Sequence, residues 1–124
     1  MSFDPVRIGV IGTGRFGILH AKTLLGLAES ELVALVDCSE KALAELPEDF
    51  SGIPKYSAPE DALRKSSAEA WVVSTSTADH VQVASMLLEQ DAHVLLEKPI
   101  SRNLQEALKL SPMVSQTQGK LMLG

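Results

Sequence analysis

The segment Gly12-Thr13-Gly14-Arg15-Phe16-Gly17 follows the apolar run Val6 to Ile11 and opens onto a helical pattern. Glycines at this spacing suit the close approach of backbone to a diphosphate. Gly12 permits a tight turn, Gly14 offers no side chain to block a pyrophosphate, and Gly17 lets the helix pack close to the sheet. The free N–H groups and the positive dipole end of that helix would hold the phosphates. A glycine-rich turn without a ligand has the same composition, so the motif needs a second feature. Asp37 supplies it, twenty residues after Gly17 and at the carboxyl end of the next apolar run. A carboxylate there accepts hydrogen bonds from ribose hydroxyls and repels the 2′-phosphate of NADP. Lys41 lies close enough in sequence to work against that preference, and an acid that merely caps the next helix is the alternative for Asp37. Together the two features imply a dinucleotide site that takes NAD in preference to NADP. S-adenosylmethionine enzymes also pair a glycine-rich first loop with a later acid and are the rival class.

Two later apolar runs also end in chemistry-bearing residues. Ala70 to Thr75 leads into Ser76-Thr77 and Asp79-His80. In an open parallel sheet ligands sit at the carboxyl ends of strands, so these hydroxyls and amides face a cofactor's ribose or nicotinamide side. A helix cap with His80 packed on the first turn is the plainer reading. His93 to Leu96 leads into Glu97-Lys98-Pro99. A lysine at that edge can hydrogen-bond a substrate hydroxyl and manage its proton as hydride leaves, and partial burial would lower its pKa toward a useful range. A surface ion pair before a turn is the alternative. Pro99 confines Lys98 to extended backbone, with the bond between them open to cis or trans. A lysine so placed has no evident use in methyl transfer.

The elements that must position these residues alternate along the chain. Strands are expected at Val6 to Ile11, Leu32 to Asp37, Ile53 to Tyr56 (weakly), Ala70 to Thr75, His93 to Leu96 and from Lys120 onward. Helices are expected over Arg15 to Glu29, after a Ser39 N-cap until Pro47, over Pro59 to Lys65, after an Asp79 cap with Val83 and Met86 among its apolar positions, and from Leu104, kinked at Pro112. Near-continuous apolar strands separated by helices imply a parallel sheet covered on both faces. The fold class is therefore α/β, a Rossmann-type doubly wound sheet in three α/β/α layers, and residues 1–124 read as one dinucleotide-binding domain.

Composition agrees. The chain has 124 residues, 45% of them hydrophobic, and a net charge of −5, which argues against nucleic-acid binding. Cys38 is the sole cysteine, so no disulfide forms within the chain and a reducing, cytoplasmic setting is expected. Met1 to Arg7 shows no secretory leader, no apolar run reaches the ~20 residues that span a bilayer, and no metal-ligand set is assigned.

These motifs together resemble the N-terminal domain of the Gfo/Idh/MocA family, which includes glucose–fructose oxidoreductase and inositol dehydrogenase. The resemblance spans essentially the whole chain. It rests on Ile8 through Gly17 with His20, on Val36-Asp37, on Thr75 through His80 and on Glu97-Lys98-Pro99-Ile100. It implies that Gly12, Thr13, Gly14, Arg15, Phe16 and Gly17 form the pyrophosphate loop and that Asp37 binds the adenosine ribose. It further implies that Thr75, Thr77 and His80 line the cofactor site and that Lys98, with Glu97 and Pro99 as fixed neighbours, meets substrate and nicotinamide. Ser76 stands where many members carry proline, which implies a looser loop. Members also have a second α/β domain with most substrate contacts, a further acid and histidine, and the usual subunit interface. The expectation is thus a cofactor-binding domain, without its substrate domain and inactive alone, cut from an NAD-dependent dehydrogenase of a sugar, inositol or related polyol that is a homo-oligomer at full length. A non-catalytic NAD-binding sensor or regulatory module is the alternative.

Overall fold

A computed structural model describes residues 4–124, so Met1 to Phe3 of the segment read for a leader lie outside it. The strands are β1 (Val6–Ile11), β2 (Ser30–Val36), β3 (Lys55–Tyr56), β4 (Ala70–Val73), β5 (His93–Leu96) and β6 (Leu121–Leu123). They form one six-stranded sheet in the order β3-β2-β1-β4-β5-β6, with every pair parallel. The order reverses between β1 and β4, and a doubly wound sheet opens a crevice at the carboxyl ends of such strands. The expected fold class is met.

Helices cover both faces because successive strand residues alternate between them. On one side Val10, Leu32, Leu35 and Val72 pack against Ala21 and Leu24 of α1 (Arg15–Leu25) and against Phe50. On the other, Ile11, Ala34, Val36, Trp71 and Val73 meet α3 (Pro59–Lys65) and α4 (His80–Glu89) through Ala62, Val81, Ala84 and Leu88. The short α2 (Glu40–Ala44) begins at Ser39, whose side chain accepts from the Ala42 amide as an N-cap should. The chain between β5 and β6 forms α5 (Leu104–Leu108) and α6 (Leu110–Gln116).

Several expected boundaries move, each for a local reason. Helix α1 ends at Leu25 because Gly26 closes it, its amide bonding back to Thr23 and Leu24; Leu25 and Ala28 are therefore exposed rather than core. Strand β4 stops at Val73, and β3 keeps only the residues beyond Pro54, which has no N–H for a ladder. Asp79 does not cap α4. Its carboxylate instead accepts from the Ser76 hydroxyl, and a 3-10 turn over Thr77–Asp79 leads into the helix. Pro112 does not kink one long helix. The break falls at Lys109, so Pro112 sits in the first turn of α6, where no N–H is required of it.

One irregularity is built into the sheet. Ile8 pairs with Leu32 but Gly9 pairs with Ala34, so Val33 is an extra residue in β2. Gly9 itself lies beneath Trp71, whose six-membered ring occupies the space a Cβ would take. Gly9→Ala therefore overpacks the sheet, and is expected to lower the unfolding free energy by roughly 1–3 kcal/mol in urea melts without changing the fold.

Candidate functional site

The turn after β1 is set by glycine geometry. Gly12 has φ +95°, and the space for its Cβ is taken by the Ser74 carbonyl. Its amide donates to the Val36 carbonyl at 2.7 Å, which draws the turn toward the end of β2. The Cβ position of Gly17 is filled by the Gly12 carbonyl oxygen, so α1 touches the turn directly. Gly14, the N-cap of α1, has nothing within 4 Å of its missing Cβ and no side-chain cap. The first amides of α1 thus lack helix partners, the arrangement that holds an anion. Arg15 and Phe16 are exposed on the first turn, with the guanidinium 5.9 Å from the ring centroid.

Asp37 lies just past β2. Its Oδ2 accepts from the Thr13 amide at 2.9 Å and the Thr13 hydroxyl at 2.8 Å; its Oδ1 accepts from the Ser39 amide at 2.9 Å. Burial pushes the carboxyl pKa up, but donation from Ser39 and from both Thr13 groups outweighs it and holds the group below its ordinary range. With two acceptor directions per oxygen, Oδ1 keeps one for a further donor.

The loop after β4 carries Thr75 and Ser76. Ser76 sits at φ −64°, ψ 150°, where proline would also sit. Its hydroxyl holds Asp79 at 3.0 Å and its carbonyl accepts from the Asp79 amide at 3.0 Å, so the serine is tied rather than loose. His80 departs from its expected role as a lining residue. It is 1% exposed, with Nδ1 2.8 Å from the Pro99 carbonyl and Nε2 3.1 Å from the Thr75 carbonyl. Its ring therefore braces the β4 loop against the turn after β5. Thr77 is half-buried in the 3-10 turn.

At the end of β5, the Glu97 amide donates to the Val73 carbonyl and the Lys98 amide to the Gly124 carbonyl, at 3.0 and 3.1 Å. The Lys98–Pro99 bond is cis. Glu97 turns toward α1, where its Oε1 lies 2.6 Å from His20 Nε2, both side chains half-buried. Lys98 is exposed, so the chain's own residues do not supply the partial burial expected for it.

A cleft of about 740 Å³ opens over the carboxyl ends of β1, β2 and β4. Of the expected residues, Gly12, Gly14, Asp37 and Thr75 line it. Thr13 and Gly17 lie buried behind it, while Glu97 and Lys98 stand beyond it at the end of β5. Cys38, Glu60, Gln82 and Met86 line it without having been assigned there. Val83 and Met86, expected only as apolar positions of this helix, are half-buried, three residues apart, beside the fully buried stripe of α4. The open Gly14, the unpartnered helix start, the spare acceptor on Asp37 and the size of the cleft fit a dinucleotide.

The depressed Asp37 carboxyl has a consequence for stability. Its contribution is complete above the ordinary value of 3.8 and is lost as pH falls through the lower folded-state value. Asp37→Asn is expected to flatten the acid limb of the stability curve below pH 3.8, read by urea unfolding at successive pH values.

Residues 6–124 match the model of an oxidoreductase family with an NAD-binding Rossmann fold, Gfo/Idh/MocA. The chain is 32% identical over 113 residues to myo-inositol 2-dehydrogenase of Thermotoga maritima, covering 91% of this chain and 33% of that protein. It is 30% identical over 113 residues to scyllo-inositol 2-dehydrogenase (NAD(+)) of Bacillus subtilis, covering 90% and 33%. The scyllo-inositol dehydrogenase of Lactobacillus casei, solved with NAD(H) and scyllo-inositol bound, superposes with a TM-score of 0.86 at 22% identity, over 98% of this chain and 36% of that one. The chain thus spans about a third of the length of the relatives it matches. Among the described residues no helix is long and apolar enough to cross a membrane. The family match over nearly all of its length, on a fold of the same topology, shows that this chain belongs to the Gfo/Idh/MocA oxidoreductases as an NAD-binding Rossmann unit.

Proposed function

We propose that residues 1–124 are the NAD-binding domain of a dehydrogenase that moves hydride between nicotinamide and a hydroxyl-bearing carbon of inositol, a sugar or a related polyol. The observation that carries this reading is the cleft on which the glycine turn and the Asp37 carboxylate meet. Its charged lining is acidic throughout, namely Asp37, Glu60 and Asp79, which favours NAD over NADP because a 2′-phosphate would meet like charge. Lys41 is exposed on α2 and is not among the lining residues, so it does little to offset this.

Bound NAD supplies the hydride acceptor. The chain's own residues bind and orient. The first amides of α1 take the pyrophosphate, and Asp37 Oδ1 receives a ribose hydroxyl. Thr75 lines the wall of the cleft, and Thr77 and His80 hold the loop that carries it. Lys98, exposed beyond the end of β5, would donate from its ammonium to the substrate hydroxyl oxygen and orient it, and the hydroxyl proton would pass to a base outside this chain as the carbon is oxidised. A further domain, in the two-thirds of the relatives' length that this chain does not match, covers Lys98, excludes water and supplies most substrate contacts. The inositol dehydrogenases among the relatives support a polyol substrate. The lone cysteine supports a reducing cytoplasm, and the resemblance supports a homo-oligomer at full length.

Fluorescence titration with NADH and with NADPH tests the reading. NADH should bind more tightly, and Asp37→Ala should remove most of the preference. Lys98→Ala should leave NADH affinity within about threefold, since its role is directed at the substrate. Failure of both nucleotides to bind a chain that melts cooperatively would overturn the proposal.

A further inference from the structure

We infer that Thr13 is a positioning residue for cofactor choice: its amide and hydroxyl together occupy Asp37 Oδ2, leaving Oδ1 to face the ribose. This rests on the dinucleotide reading above and deepens it. Thr13 is 5% exposed and sits behind the cleft, so it acts through Asp37 and not by touching a ligand. A carboxylate oxygen offers two acceptor directions, and Thr13 uses both on Oδ2, at 2.9 and 2.8 Å. The Ser39 amide uses one on Oδ1, at 2.9 Å. One acceptor therefore remains, and it belongs to an oxygen whose position three donors fix.

Thr13 also lies between Gly12 and Gly14, in the turn that faces a pyrophosphate. One residue thus spans the phosphate end and the ribose end of the site and sets the distance between them. Branching at its Cβ restricts χ1, so the hydroxyl is held toward Asp37. The hydroxyl has one proton and spends it on Oδ2. Removing it frees an acceptor direction on Oδ2, loosens the carboxylate and makes the ionised form easier to protonate. The other titratable side chains lining the cleft are Cys38 beside Asp37, whose thiol is only a weak donor, and Glu60 from α3 and Asp79 from the β4 loop, which when ionised only accept.

The test is Thr13→Val, which keeps the shape and removes the hydroxyl, beside Thr13→Ser, which keeps the hydroxyl. NADH and NADPH are titrated from neutral pH down toward the aspartate range, with a thermal melt of each variant. Thr13→Val should lower the NADH-to-NADPH affinity ratio by about fivefold, the worth of one hydrogen bond of ordinary strength. Its NADH affinity should also begin to fall at a higher pH than that of the unmodified chain, and Thr13→Ser should restore both. Should the valine variant fail to fold, Thr13→Ala, which adds no new contact, carries the comparison. A folded variant without the hydroxyl but with unchanged ratio and pH profile overturns the role of Thr13 while leaving the cofactor reading intact. If the unmodified chain binds neither nucleotide, both fall.

Discussion

Helix α1 can lie where it does only because Gly17 has no side chain. The Gly12 carbonyl fills the space a Cβ would need, so the helix and the turn that precedes it are in direct contact. The rest of the site depends on that contact. It brings the first amides of α1 to the carboxyl edge of β1. It also sets the rotation of the helix, since residues three and four apart share a face. His20, three residues past Gly17, comes within 2.6 Å of Glu97 at the end of β5, and Ala21 and Leu24 are buried against β1 and β2. A wider separation would displace the phosphate-facing amides and part the His20–Glu97 pair together.

The fold was legible in the sequence because its central strands are largely buried on both faces. A parallel strand covered by helices needs apolar residues at nearly every position, and Val6 to Ile11, Leu32 to Val36 and His93 to Leu96 carry them. The glycine turn and Asp37 were legible because turn chemistry is local. Boundaries were not, since Gly26 and Lys109 end helices through local backbone bonds that periodicity does not register. The less visible part of the site consists of long-range pairs. The motif spacing brings Asp37 to the glycine turn but does not say that Thr13 donates to it, and nothing in the spacing pairs His20 with Glu97, 77 residues away. Val83 and Met86 show another limit: an apolar residue on a helix reads the same whether it packs against a sheet or faces a cleft.

His80 shows how a motif residue can matter without facing a ligand. Both of its ring nitrogens point at backbone carbonyls, those of Pro99 and Thr75. A neutral imidazole donates to one of them and an imidazolium to both. Buried between the two carbonyls, the ring packs the loop that lines the cleft against the turn that carries Lys98. The wall of the cleft and the residue proposed to meet substrate therefore share one buried support, and neither can shift far without the other.

The extra residue at Val33 bears on how the sheet keeps its alignment. Leu32 packs on the α1 side, and beyond the bulge Leu35 takes that side while Ala34 and Val36 take the other. The strand is thereby divided into two segments with independent side-chain phase. Slack at the base, near Ser30 and Glu31, is absorbed before it reaches Val36, whose carbonyl anchors the Gly12 amide. The bulge works as an expansion joint, so length changes in the loop entering β2 need not disturb the end where Asp37 stands.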